Sequence, residues 1–408
     1  MKLHRPRINI ATVLLLAAGF TIGSAHAQES LRPEIGKPLQ ATQELLKAHK
    51  NKEALAKVRE ADAIDGKTPY EIFIVERMRF AAAIGAGETE VAAKALDALI
   101  ASGKLPAADR LKFTGAIAGA FYNAKDYPKA IVWISRYLKE GGSDPQMRAL
   151  LPQSYYLAAD YASAARELNA EFQAMEKSGG KPTEENLKLL ASCYQMQNDH
   201  TGYANALEKL VVHYPKKEYW ADLVNRIQKK AGFADRLALD VYRLKLDSGN
   251  LNGAGDYMEM AQLALQQGYP AEAKKVVDQG YASGALGSGS DAERHKRLRD
   301  LVARQFADDQ KNLAAGDVQA AAAKDGNALV NVGFNHALNG QYDKAIAMIE
   351  QGIAKGGLKR PEDARLHLGI ACLLAGQKAK AVQVLKTVQG SDGTADLARL
   401  WVLNAQRS

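Results

Sequence analysis

Two cysteines in 408 residues cannot staple a fold of this size, so no disulfide framework is expected. Beyond the first 27 residues no apolar run is long enough to cross a bilayer, which takes about 20 residues. The signatures that announce common catalysts are also missing. There is no Gly-x-Ser-x-Gly, no His-Glu-x-x-His and no Gly-x-x-x-x-Gly-Lys-Ser/Thr. No Cys or carboxylate stands at ligand spacing from His336 or His367, so both read as packing histidines rather than metal ligands. Gly287-Ser288-Gly289-Ser290-Asp291-Ala292 fits a relaxed dinucleotide fingerprint, but no strand precedes it, and without a βαβ context it reads as a turn. No enzyme, no cofactor and no metal are expected.

What is present begins with an address. Lys2, Arg5 and Arg7 lead into a mostly apolar stretch, Ile8 to Ile22, and Ala25-His26-Ala27 is a small-x-small cleavage site. Residues 1–27 read as a cleaved signal peptide, and the expectation is an exported, soluble, periplasmic protein with no membrane span after cleavage. Three basic and no acidic residues leave with that segment, so the formal charge falls from +8 to +5. A modest basic excess suits acidic partners or anionic envelope polymers, and equally suits solubility. Export argues against nucleic acid as a partner.

The rest of the chain is patterned with a helical period. Leu329, Val332, Gly333 and His336 share one face, Gly340 breaks it, and Ala345, Ile346, Ile349 and Ile353 resume it. The scheme then repeats 36 residues on, where Gly369, Gly376 and Ala381 answer Gly333, Gly340 and Ala345. Earlier, Tyr127 and Ala130 return as Tyr161 and Ala164, an offset of 34 residues. Each copy is two short helices that cannot bury their own apolar faces, so the copies must stack.

These residues resemble the tetratricopeptide repeat (TPR) family, whose pattern is aromatic-x-x-Leu-Gly-x-x-Tyr followed by a small residue opening the second helix. Leu329, Val332, Gly333, His336, Ala345 and Ile349 stand in those slots, as do Arg365, Leu368, Gly369, Cys372, Ala381 and Leu385 in the next copy. The resemblance implies an all-α, right-handed superhelical solenoid of helix-turn-helix repeats. Cys193 and Cys372 fall on first helices of distant copies and are expected to be buried and unpaired.

Taken in order, residues 28–283 are expected to form an N-terminal array. Pro69 and Asp144-Pro145 mark helix starts, and Ser178 to Pro182 forms a loop. Tyr203 departs from the pattern, standing where Ala130 and Ala164 stand in earlier copies. Residues 284–326 comprise a Gly/Ser-rich turn and a long basic helix reaching about Leu313, opened by a Ser290–Glu293 capping box and followed by a short Ala-rich helix. Residues 327–408 hold a C-terminal repeat pair and a capping helix from Thr394, whose Leu397, Leu400, Trp401 and Leu403 cover the last repeat. The Gly/Ser turn is expected to separate two units, and alanine at Gly284, Gly287 and Gly289 to stiffen it where backbone angles allow.

Two surfaces are candidates for function. TPR proteins bind with the concave face of their first helices. Carried over copy by copy, that face comprises Lys112, Tyr122 and Asn123; Gln146, Gln153 and Tyr156; Glu185, Lys188, Ser192 and Gln195; and Met258, Gln262 and Gln266. Amides and tyrosines suit a peptide backbone or a glycan. The asparagine that clamps chaperone C-termini in part of the family is replaced by Gly119, Gln153, Ser192, Gln262, Phe334 and Ile370, which removes that partner class. The second surface is a basic patch, Arg294, His295, Lys296, Arg297, Arg299 and Arg304. The function expected is a periplasmic, non-catalytic TPR scaffold for a protein or peptide partner in the cell envelope. The alternative is a module facing an anionic glycan of a cell-wall or exopolysaccharide system.

Overall fold

The computed structural model describes residues 30–406, so the expected signal peptide lies outside the described residues. Among these, twenty α-helices and no strand occur, as the helical periodicity requires. The chain divides into two compact units, Met1–Tyr203 and Ala204–Ser408. The division falls at Tyr203, the bulky residue in the slot where Ala130 and Ala164 let paired helices close up.

The first unit is a run of helix pairs: α1 (Pro33–Lys47) with α2 (Asn51–Asp62), α3 (Pro69–Ala86) with α4 (Thr89–Ala101), and α5 (Ala107–Asn123) with α6 (Tyr127–Lys139). Then come α7 (Pro145–Leu157) with α8 (Tyr161–Lys177), and α9 (Glu184–Met196); α10 (His200–His213) begins at the end of the first unit and lies mostly in the second. The starts follow from local chemistry. Thr68 accepts from the Glu71 amide at 3.2 Å while Glu71 accepts from the Thr68 amide at 2.8 Å, a closed capping box. Glu71 is fully buried and also accepts from the Arg32 backbone and guanidinium at 3.0 Å, tying the entry of α1 to α3. Asp144 caps α7 through the Gln146 amide at 2.8 Å.

One slot recurs in the turn between paired helices and always takes a positive φ. It holds Gly87, Gly268, Gly340 and Gly376 in four copies, but His49, Lys125, Ala159 and Asn198 in four others. A side chain with a Cβ is strained there, so these four copies carry a small conformational cost.

The second unit continues with α11 (Lys217–Gln228), a 3₁₀ turn (Asp235–Leu237), α12 (Ala238–Asp247), α13 (Gly253–Gln266) and α14 (Pro270–Ala282). The expected break follows, but it is pinned rather than loose. Leu286 is buried, and the Gly287 amide donates to His295 Nδ1 at 3.1 Å. Gly284, Gly287 and Gly289 all have positive φ, so alanine there would strain the backbone instead of stiffening it. α15 (Ala292–Ala322) is one helix of 31 residues. It runs through Gly316 and absorbs the expected Ala-rich helix, and its start carries no side-chain cap, so the Ser290–Glu293 box does not form.

The C-terminal pair is α16 (Asn327–Leu338) with α17 (Tyr342–Lys355) and α18 (Pro361–Leu374) with α19 (Lys378–Leu385). Gly333 and Gly369 allow close approach, since a Cβ on Gly369 would lie 2.5 Å from Leu385. The chain ends with α20 (Thr394–Ala405), which packs on α18 and α19 as a cap should, and also reaches α12. That contact closes the unit on itself. The Ala234 amide donates to the Asp392 carbonyl at 2.9 Å, Lys230 pairs with Asp396 at 2.8 Å, and Arg399 pairs with Glu208 at 2.6 Å. Arg236 donates to both oxygens of Asp363 at 2.8–2.9 Å and to Asp392 at 2.6 Å. The expected division at the Gly/Ser turn therefore does not coincide with the compact units. Residues on either side of the turn are joined by ion pairs, and the turn lies inside the second unit.

Candidate functional site

In the first unit, α5, α7 and α9 carry the expected groove residues, and two of the tyrosines link neighbouring first helices. Tyr122 donates from its hydroxyl to Gln153 at 3.1 Å and meets Tyr127 edge-on at 5.9 Å. One repeat later Tyr156 is hydrogen-bonded to Ser192 and meets Tyr161 edge-on at 5.3 Å. Burial pushes the Tyr156 phenol above its ordinary range. The same device is thus used twice, a tyrosine in the last turn of one first helix bound to the polar residue midway along the next. It leaves Lys112, Asn123, Gln146, Glu185 and Gln195 exposed, with Gln153, Tyr156, Lys188 and Ser192 half-buried among them. Tyr122 is a correction to the expected face, because it is buried at 5% exposure and serves as a link. Lys188 pairs with Glu184 at 3.1 Å on its own helix.

The second unit treats its first helices differently. Met258 is buried, which removes it from any contact face, while Gln262 is half-buried and Gln266 exposed. Nearby, α12, α14, α16 and α18 converge on a buried charge network. Arg243 forks onto Glu272 at 2.7 and 2.8 Å and donates to Asp240 at 2.7 Å. Its guanidinium lies 4.7 Å from the Phe334 ring centre and 5.1 Å from that of Tyr269. His367 Nε2 lies 3.1 Å from Asp240, and its ring stacks on Phe334 at 4.3 Å. Burial works against the Asp240 charge, but His367 and Arg243 outweigh it and hold the carboxyl far below its usual range. Burial also opposes the Arg243 charge, and Glu272 and Asp240 outweigh that, raising its pKa. The Tyr269 phenol is pushed up to about 12 by burial.

Sequence reasoning missed this network. Its one signal was Asp240 and Arg243 sitting among Leu239, Val241 and Leu244 on a helix face that periodicity assigns to the core. His336 behaves as expected of a packing histidine: it is 1% exposed, and its Nε2 lies 2.6 Å from Asp317. No group of three or more potential metal ligands occurs among the described residues.

The basic patch lies on the first turns of α15. Arg294, Lys296, Arg297, Arg299 and Arg304 are exposed, and none forms an ion pair among the described residues. Arg299 covers the Tyr281 ring at 4.6 Å. His295 leaves the patch, because it is buried and holds the preceding turn through Gly287.

Residues 77–145 and 338–396 match the family model described as tetratricopeptide repeat. No curated protein matches the chain. Among solved structures it is similar to the TPR2AB domain of yeast Sti1, solved in complex with pHSP90. The identity is 18% and the TM-score 0.30, covering 66% of this chain and 98% of that one. It is also similar to yeast Tom70, with 14% identity and a TM-score of 0.24, over 91% of this chain and 95% of that one. No described helix is long and apolar enough to cross a membrane.

Proposed function

We propose that the chain, which matches the tetratricopeptide-repeat family model over residues 77–145 and 338–396, is a non-catalytic scaffold, exported to the periplasm, that holds a protein or peptide partner against the first-helix face of α5, α7 and α9. The observation that carries this reading is the tyrosine-linked register of those helices. Tyr122–Gln153 and Tyr156–Ser192 fix neighbouring helices to one another, so exposed polar side chains recur one repeat apart on a braced surface. Preformed spacing lowers the ordering cost of binding an extended peptide. In the second unit, a partner at the Arg243 network would have to displace buried ion pairs.

A photo-crosslinking residue placed at Gln146 or Gln195 tests the reading, with exposed Val132 as the control position. The expected result is one defined protein crosslinked at the first two sites and not at the third, in the periplasmic fraction, from a chain whose N-terminus is Gln28. Equal labelling at all three positions would refute the face. Retention of the protein on peptidoglycan or an acidic polysaccharide, with no protein crosslinked, would replace the scaffold by the glycan-facing module.

A further inference from the structure

A cavity of about 490 Å³ opens between α7 and α8 beside the end of α6. Arg148, three residues before the core Leu151, is exposed where Thr114 and Leu187 are buried in the copies on either side. Pro145, Ala149, Pro152, Ala170, Ala174 and Met175 line the space.

Three acceptors border it. Glu167 and Glu171 lie one turn apart on α8, on the same side of the helix. Pro152 has no N–H, so the Arg148 carbonyl lacks the helical donor four residues on, and both of these residues line the cavity. Neither carboxylate has a cation in direct contact, although Arg148 shares the lining and acts on Glu171 at longer range. Neither Glu167 nor Glu171 forms an ion pair among the described residues, and Glu171 accepts only a long 3.4 Å bond from Asn186. Burial pushes the Glu171 carboxyl above its usual range, and the opposing influence of Arg148 does not cancel it. A half-buried carboxylate without a cation gains from receiving one.

We propose that this cavity binds a lysine side chain of a partner polypeptide, with the aliphatic stem on the Pro152–Ala170–Ala174 wall and the ammonium between Glu167, Glu171 and the Arg148 carbonyl. An ammonium has three donors for the three acceptors. Its stem is apolar, like the lining, and two carboxylates against one guanidinium leave the lining with one net negative charge. This inference names a chemical feature of the partner and so rests on the scaffold reading.

The test uses the full mature chain with ¹³C-labelled methionine methyls, the Met175 signal being assigned with Met175→Leu. N-acetyl-lysine methylamide is titrated in, alongside its Nε-acetylated form and the norleucine analogue. The lysine compound should shift the Met175 signal saturably, with the two neutral compounds and the Glu171→Gln variant roughly tenfold weaker or worse. Ala174→Phe, on the exposed rim, should abolish the shift by filling the space. Glu171→Gln removes a charge that burial disfavours and is expected not to lower the melting temperature, which separates binding from folding. Equal binding of the three compounds, an unaffected Glu171→Gln variant, or no saturable shift would overturn the proposal. A failed titration with successful crosslinking at Gln146 would discard the lysine pocket alone. A successful titration with no protein crosslinked would discard the scaffold reading and leave a cation site.

Discussion

Removing the charge of Arg243 while keeping its bulk is the sharpest test of how the second unit is held together. In Arg243→Met, Asp240 and Glu272 remain buried and lose the cation that both contact at 2.7–2.8 Å. Breaking a buried pair in this way costs about 3–5 kcal/mol, because an uncompensated charge is left behind. The rings of Phe334 and Tyr269 also lose the guanidinium they face. For a unit of about 200 residues this lowers the melting temperature by about 10 °C. The deficit depends on pH in a definite direction. In the native protein Asp240 is held ionised far below its usual range, so it favours folding at neutral pH and loses that contribution only in strong acid. In the variant, Asp240 keeps only His367 against the cost of burial, so its carboxyl rises and taking up a proton relieves it. The deficit should therefore shrink from pH 7 to pH 5. Urea denaturation followed by tryptophan fluorescence measures it, since Trp220 and Trp401 report on the second unit and Trp133 on the first. The triple variant Arg243→Met, Asp240→Asn, Glu272→Gln should recover all but about 1–2 kcal/mol, because no buried charge remains unpaired. A single-variant loss below about 1 kcal/mol, or a triple variant no better than the single, would refute the view that complementary charge holds this core.

Ala159→Gly relieves a positive φ in a turn slot that glycine fills elsewhere, and should raise stability by about 1 kcal/mol, while Gly340→Ala should lower it by a similar amount; thermal melts of both variants check the sign. Glu71 is held at about 2 by its hydrogen bonds from Arg32 and from the Thr68 backbone. Its contribution to folding is complete above the ordinary carboxylate range and is lost as pH falls from about 4.3 toward 2, so the acid limb of a stability profile should be shallower in Glu71→Gln. Cys193 is fully buried and its thiol is pushed up to about 12, so it should resist alkylation at pH 8 until urea unfolds the first unit, as mass spectrometry of labelled peptides would show.

Much of the fold was legible because repetition multiplies a weak signal. Ala130, Ala164, Ala345 and Ala381 are fully buried, where one slot read four times requires a small residue. The two free, buried cysteines followed from the same logic. The groove residues were legible as positions but not as states. Their spacing put Tyr122 and Met258 on an outward face, and only packing showed one linking two helices and the other buried. His295 failed for a related reason, since a histidine among arginines reads as one more cation until the turn it holds is seen.

The sequence by itself determined helices, their pairing and the slots that must be small, because these depend on periods of three to four residues and on neighbours in a repeat. It also marked Tyr203 as out of pattern, the residue at which the compact units divide. Only the tertiary structure decided that residues 204–406 close on themselves. Arg236 meets Asp363 and Asp392 across more than a hundred residues, and His367 meets Asp240 across 127. Such contacts depend on the summed rotation of many stacked helices, where a few degrees in each pair decide which distant residues meet, and no local period records that sum.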